Sequence, residues 1–386
     1  MLDTYFDCNA TTPLCVEARE AWLEASANAW FNPAGLYRGA VRTRVLLEDV
    51  RSELSTTLGC TPGSIIFTSG ATESNNAVFR YLKKAGSGAI LLPKTEHVSV
   101  RHVVEQLFPD QHEWLLVDEC GVVLLDALDE RLAQGGVQAV SVMAVNNESG
   151  VIQPWRDIQA LCSQHKVLFH SDMTQWVGKM PVAGVGCCDF VALSSHKFGG
   201  PKGVGLLTVP SGIEFSWILG GGQESGRRAG TEDYASVAAM LSALRVADGN
   251  ATTRLPEREA CRDAFESALV GAIPGVHVLC REASRVWNTS MLIMPKYEGW
   301  RWVKKLDAQG YAVGLGAACS SENGAKDSVA AALGLDSCSI ARGVRVSAGW
   351  GCSRDAWVGL ADAFRVAWES LESEGSGDSV VDISAL

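Results

Sequence analysis

What the chain lacks narrows it first. Its 386 residues include twelve cysteines but no Cys-x-x-Cys pair, and its seven histidines form no His-Glu-x-x-His. A zinc site of familiar spacing is therefore not expected. Positive charge is in short supply: 33 Lys and Arg stand against 44 Asp and Glu, for a net charge of −11. That argues against direct nucleic-acid binding and against docking on anionic lipid through bulk charge. No apolar run approaches the ~20 residues of a membrane span. The start, "MLDTYFDCNATTPL", has no basic patch followed by an apolar core, so no secretory signal is expected. Scattered cysteines without such a signal suggest a reducing compartment, with most thiols buried as small hydrophobes and the cytoplasm as the expected location. No internal repeat or low-complexity tract is present.

What is there supports a folded α/β chain. Hydrophobic residues make up 47% and charged residues 20%, which allows a substantial core. From about residue 60 to 210, "SIIFTSG", "GAILLP", "VQAVSVMAV", "KVLFHSD", "DFVALSS" and "GVGLLTV" read as buried strands. Helical patterns such as "TESNNAVFRYLKKAG", "HVSVRHVVEQL" and "WRDIQALCSQH" lie between several of them. Strand, helix and strand in series predict crossovers and a mainly parallel sheet covered by helices on both faces. From about residue 258 the rhythm changes, and a charged helix with the short strands "VHVLC", "TSMLIMP" and "VRVSAG" predicts a smaller α/β domain.

In such sheets, ligands sit beyond the carboxyl ends of the strands. After "SIIF" comes "TSGATESNN", where Gly70, Ala71 and Thr72 lead into a helix; this is a phosphate cradle or a plain N-cap. His97 follows "GAILLP", and a lone histidine there is often structural. Asn146 and Asn147 follow "VQAVSVMAV", in a stretch that also suits a turn. Asp172 and Gln175 follow "KVLFH"; the Asp is a partner for a protonated ring nitrogen or another N-cap. His196 and Lys197 follow "DFVALSS". "GRRAGTEDY" offers Arg and Thr before a helix, a second phosphate-binding candidate. Five independent caps explain this concentration poorly. A lysine amine in a desolvated site has a lowered pKa and can form a Schiff base. A carboxylate facing a pyridine nitrogen is the usual companion of pyridoxal phosphate.

The same residues carry a family resemblance. "DCNATTP", "FTSGATESNN", "TEHVSV", "VNNESGVIQP", "HSDMTQWVGK", "SSHKFGGPKG", "GRRAGTED" and "GAACSS" span nearly the whole chain. With them the chain resembles the pyridoxal-phosphate-dependent cysteine desulfurases, class V of the fold-type I aminotransferases. The resemblance implies a homodimer. It also implies a large cofactor-binding domain over 15–257 and a small domain made of 1–14 and 258–386. Lys197 would be the Schiff-base lysine, with glycines around it letting backbone pack close to the cofactor. Asp172 would pair with the ring nitrogen. Gln175 and Asn147 would bind near the phenolic oxygen, and His97 would stack on the ring and relay protons. Ala71, Thr72, Ser194 and His196 would hold the phosphate, with Thr231 reaching across from the partner subunit. Arg345, with Asn147, would bind the carboxylate of L-cysteine. Cys319, in the small-residue stretch "GLGAACSSENGAKDS", would carry the persulfide on a mobile loop and pass the sulfur to an acceptor protein.

Three departures from the family pattern stand out: Ala317-Ala318 before Cys319, "NPAG" from Asn32, and Trp350 where a charged residue is common. Two other readings remain open from sequence. One is another class V reaction, such as a cysteine or selenocysteine lyase or an aminotransferase, which needs Lys197 and Asp172 but not Cys319. The other is a silent binding subunit.

Overall fold

The computed structural model describes residues 3–316 and 327–374. Among these, twelve strands are described: β1 Tyr5–Phe6, β2 Ile65–Thr68, β3 Ala89–Leu92, β4 His112–Trp114, β5 Val137–Ser141, β6 Leu168–Asp172, β7 Phe190–Ser194, β8 Gly205–Thr208, β9 His277–Val278, β10 Thr289–Ile293, β11 Ala312–Leu315 and β12 Gly343–Ser347. They form two sheets. One has seven strands in the order β2-β8-β7-β6-β5-β3-β4; the other has five in the order β1-β11-β12-β10-β9.

Alternation builds the large sheet. Ile66, Leu92, Ala139, Phe190 and Leu207 pack under the helices Ala71–Ala85 and Val98–Leu107. Their neighbours Phe67, Leu91, Val140, Phe169, Val191 and Leu206 point to the opposite face, against the helices Trp155–His165 and Tyr234–Thr253. Side chains alternate faces along a strand, so a run apolar at every position is covered on both sides. The pairs β3–β4, β3–β5, β5–β6 and β6–β7 are parallel, as the strand–helix–strand rhythm predicts. The strand β8 differs, running antiparallel to both β7 and β2. It follows β7 through residues 195–204, a connection with one 3-10 turn and no crossover α-helix, which suits antiparallel rather than parallel pairing.

Three strands escaped the sequence reading, the two-residue β1 among them. "HEW" is β4, an edge strand with no buried residue and hence no apolar signal. "AVGL" is β11, four residues long, paired with β1 in parallel and with β12 antiparallel. Through that pairing the N-terminal segment joins the C-terminal third in one sheet. The segment "VQAVSVMAV" stays regular only to Ser141; beyond it, Val142 and Ala144 donate to the carbonyls of His170 and Asp172 and carry the chain toward the strand ends.

Candidate active site

The carboxyl ends of β3, β5, β6 and β7 open on one cleft of about 240 Å³. The cradle end comes first. Gly70 sits at φ +145°, and the helix Ala71–Ala85 starts directly after it. Glu73 reaches back to the Ser69 N–H at 2.8 Å and closes that first turn. Arg228 Nε and Trp217 Nε1 both donate to Glu73 at 3.0 Å, and these donors hold its carboxyl at about 2 against the opposing cost of burial. The Ala71 N–H points at Ser194 Oγ, 2.8 Å away at the end of β7. Gly205 makes this approach possible: a Cβ there would lie 2.3 Å from the Leu193 carbonyl and 2.7 Å from Gly70 Cα. Ala71, Thr72, Ser194 and His196 all line this end, and burial lowers the His196 pKa to about 4.

Asp172 closes β6 and is buried. Its Oδ1 accepts from the Thr174 N–H at 2.9 Å and its Oδ2 from Asn75 Nδ2 at 2.9 Å. His97 caps the helix Val98–Leu107, its Nδ1 accepting from the Ser99 N–H at 3.1 Å. His97 keeps exposed surface, yet desolvation lowers its pKa, while the Asp172 charge pulls the other way.

Lys197 stands in the short turn after β7. Its Nζ donates to the carbonyls of Asn9 and Ala10 at 2.7 and 2.8 Å. Burial, then the nearby Arg345 charge, lowers its pKa to about 8, while Asp172 and Asp7 pull the other way. The glycines after it pack on the chain itself: a Cβ at Gly200 would meet Ser195 Oγ at 1.8 Å, and one at Gly199 would touch Cys15. Arg345, from β12, donates to Asp7 Oδ1 at 2.8 Å and to the Asn147 carbonyl at 3.2 Å.

The cleft therefore gathers His97, Asn147, Asp172, Gln175, Lys197 and Arg345 with the cradle residues. Thr231 lies elsewhere on this chain, exposed in the loop before the helix Tyr234–Thr253. Its neighbour Arg228 is spent on Glu73, which removes that arginine as a free phosphate ligand. Cys319 lies outside the described residues. Trp350 packs against Trp287, ring centroids 4.2 Å apart, and donates to the Gly178 carbonyl at 2.7 Å, so its place is the wall behind Lys179.

Several contributors carry no signal of their own in the sequence. Asn9 gives its carbonyl to Lys197, while its side chain donates to the Asn147 carbonyl at 3.0 Å and accepts from Lys179 at 2.6 Å. Lys179 also donates to Gln175 Oε1, and burial holds its pKa well below that of a free lysine. His170 shares a strand face with Asp172, a two-residue spacing that could have marked it.

The donor set suits pyridoxal phosphate. A helix N-terminus with small residues can receive an anion, a carboxylate faces the middle of the cleft, and an amine of depressed pKa stands beside it. Two buried donors among the cleft residues, Thr174 Oγ1 and Arg345 Nε, have no partner on the chain, which is what a site shaped for a polar ligand leaves.

Comparison with known proteins agrees. The family model for aminotransferase class V matches residues 4–350. The cysteine desulfurase IscS of Dictyoglomus turgidum is 32% identical over 332 residues, covering 83% of each chain. A cysteine desulfurase of Cereibacter sphaeroides is 33% identical over 329 residues, covering 82% of this chain and 83% of that one. Among solved structures, a NifS-like protein superposes with TM-score 0.87 at 27% identity, over 96% of this chain and all of the other. Another, from Rickettsia africae, gives 0.84 at 26% identity over 95% of this chain and 99% of that one. The chain belongs to the class V aminotransferase family and, within it, to the cysteine desulfurases. Enzymes of this family depend on pyridoxal phosphate.

Proposed function

We propose that the protein converts L-cysteine to L-alanine and keeps the sulfur as a persulfide on Cys319 for transfer to an acceptor protein. The observation that carries this reading is the Lys197 amine, with its pKa lowered to about 8, in one cleft with Asp172, His97 and Arg345. Bound pyridoxal phosphate would supply an electron-withdrawing ring that accepts the electron pair released at the substrate α-carbon. Lys197 would hold the cofactor, Ala71, Thr72, Ser194 and His196 its phosphate, Asp172 its ring nitrogen, and Gln175 and Asn147 its phenolic oxygen.

The chain's own groups then divide the work. Arg345, with Asn147 beside it, binds the substrate carboxylate through the donors it has to spare. The Lys197 amine, once free and unprotonated, takes the α-proton and later returns one. His97 stands across the cleft as a neutral imidazole. The Cys319 thiolate bonds to the substrate sulfur; the carbon–sulfur bond breaks with its electron pair left on carbon, and protonation there completes alanine.

A homodimer belongs to this reading. Leu36 is 91% and Leu219 81% exposed, and Trp30, Tyr37 and Val45, near Leu36 in sequence, are exposed as well, large apolar side chains of the kind a second copy covers. Thr231, exposed on the same loop region as Leu219, would reach the partner's phosphate site. Residues 15–257 form the cofactor domain, and 1–14 with 258–386 the domain that carries Cys319. No helix among the described residues is long and apolar enough to cross a membrane.

The test is alanine and sulfide release from L-cysteine with a reductant present, wild type beside Cys319→Ser. Both products from wild type, with sulfide lost in the variant, support the desulfurase. A variant as active as wild type points to a class V lyase instead.

A further inference from the structure

Asn75 does not line the cleft. It is fully buried in the first turns of the helix Ala71–Ala85 and touches three groups that matter. Its Nδ2 donates to Asp172 Oδ2 at 2.9 Å and to Ser99 Oγ at 2.9 Å, and its Oδ1 faces His170 Nε2 at 3.1 Å. His170, also fully buried, meets Ser141 Oγ at 2.8 Å through Nδ1. Ser99 Oγ meets His97 Nδ1 at 2.8 Å.

The donor inventory leaves this network one polarity. The Asp172 carboxylate can only accept, so the amide nitrogen of Asn75 must face it and the amide oxygen must face His170. His170 then donates from Nε2, and its Nδ1 takes the Ser141 hydroxyl proton. Burial lowers the His170 pKa to about 4, so the ring carries that single proton. On the other arm, Ser99 Oγ accepts from Asn75, which turns its own proton toward His97 Nδ1. That nitrogen also accepts from the Ser99 backbone. The proton of neutral His97 is left on Nε2.

We propose that Asn75, anchored by His170, is a positioning residue for the reaction: its amide nitrogen aims a donor at Asp172 while its amide oxygen keeps the His170 proton on Nε2. The proposal rests on the functional reading above for the importance of Asp172, but the proton placement stands on the hydrogen bonds alone. It also explains a buried histidine at the floor of the site, where an apolar side chain would otherwise suffice.

The change Asn75→Leu removes the amide at nearly the same volume. Asp172 and Ser99 would each lose a donor, and the His170 Nε2 proton would lose its acceptor. A carboxylate that loses a donor takes up protons more readily. It would then compete harder with the ring nitrogen of bound cofactor for a proton. Two readouts follow, both on the full-length, cofactor-loaded protein. In ¹⁵N-histidine NMR, His170 (assigned through His170→Leu) is expected with Nε2 protonated in wild type and with Nδ1 protonation, facing Ser141 Oγ, appearing in Asn75→Leu. The pH midpoint of the visible cofactor band is expected to rise by about one unit, the size of one charge-assisted hydrogen bond. If Asn75→Leu fails to fold, Asn75→Ala removes the same donor and acceptor and is expected to move both readouts in the same directions. An unchanged His170 tautomer together with an unchanged midpoint, in a folded and cofactor-loaded variant, overturns the proposal. Loss of the band in wild type itself would instead sink the functional reading, and the NMR readout would still decide the proton placement.

Discussion

Arg345 enters the cleft already held. Its Nη2 donates to Asp7 Oδ1 at 2.8 Å and its Nη1 to the Asn147 carbonyl at 3.2 Å, while Nε is buried with no partner. The strands β1 and β12 lie in one sheet with β11 between them, and the bridge from Asp7 to Ser347 sets Asp7 beside the arginine. A guanidinium aimed this way and carrying an unused donor suits a substrate carboxylate. Arg345→Lys keeps the charge and loses the fork. The apparent KM for L-cysteine is expected to rise about ten- to a hundredfold, the worth of a charge-assisted hydrogen bond, with kcat changed less. Steady-state kinetics check this, and an unchanged KM removes the carboxylate role.

The Lys197 amine gives a prediction in pH. Burial and the Arg345 charge bring its pKa from 10.5 to about 8. Only the unprotonated amine attacks an aldehyde, so capture of pyridoxal phosphate by cofactor-free protein should speed up as pH rises through about 8. Stopped-flow absorbance follows this directly. A midpoint near 10.5 would describe an ordinary surface lysine and would contradict the assignment. Lys197→Ala should show no visible cofactor band at any pH.

Glu73 links the cradle to the loop that bears Thr231. Against the cost of burial, its carboxyl is held at about 2 by Arg228, the Ser69 N–H and Trp217, where an ordinary glutamate titrates at 4.5. The sign follows from the depressed folded value. The stability it contributes is fully present above about 4.5 and is lost as pH falls toward 2. Glu73 is partly open to solvent, so the contribution is screened and modest. Urea unfolding of Glu73→Gln should therefore show a lower midpoint than wild type at pH 7. That gap should narrow at pH 3. A gap that stays constant over this range would mean that charge is not what Glu73 supplies.

Much of this site is legible before the fold is seen, because each parallel strand ends where its polar residues begin. Asp172 follows "KVLFH" and Ser194 ends "DFVALS", and both reach the cleft. What stays hidden is contact across sequence distance. Asn9 touches Lys197, Asn147, Lys179 and Asn288, and no spacing in "DCNATTP" announces those partners. The direction of β8 is hidden too, since an apolar run looks the same whichever way it runs. The resemblance supplied roles; the geometry supplies the supports behind them, Asn75 and His170 among them.

Gly205 offers the sharpest test of the cradle. It lies in β8, paired with Thr68 on one side and Ser194 on the other. A Cβ there would sit 2.3 Å from the Leu193 carbonyl and 2.7 Å from Gly70 Cα. Both obstacles are backbone, so neither can swing away. Gly205→Ala must push β8 from β7 or displace the Gly70 turn, and overpacking of this kind costs about 1–3 kcal/mol. The displaced turn carries the Ala71 N–H and the start of the helix proposed to receive the phosphate. The variant should therefore unfold at lower urea and release pyridoxal phosphate faster on dialysis, with the two losses appearing together. A control at Gly63, where nothing lies within 4 Å, should show neither. If Gly205→Ala loses stability but retains cofactor as wild type does, the Gly70 turn is not the phosphate cradle.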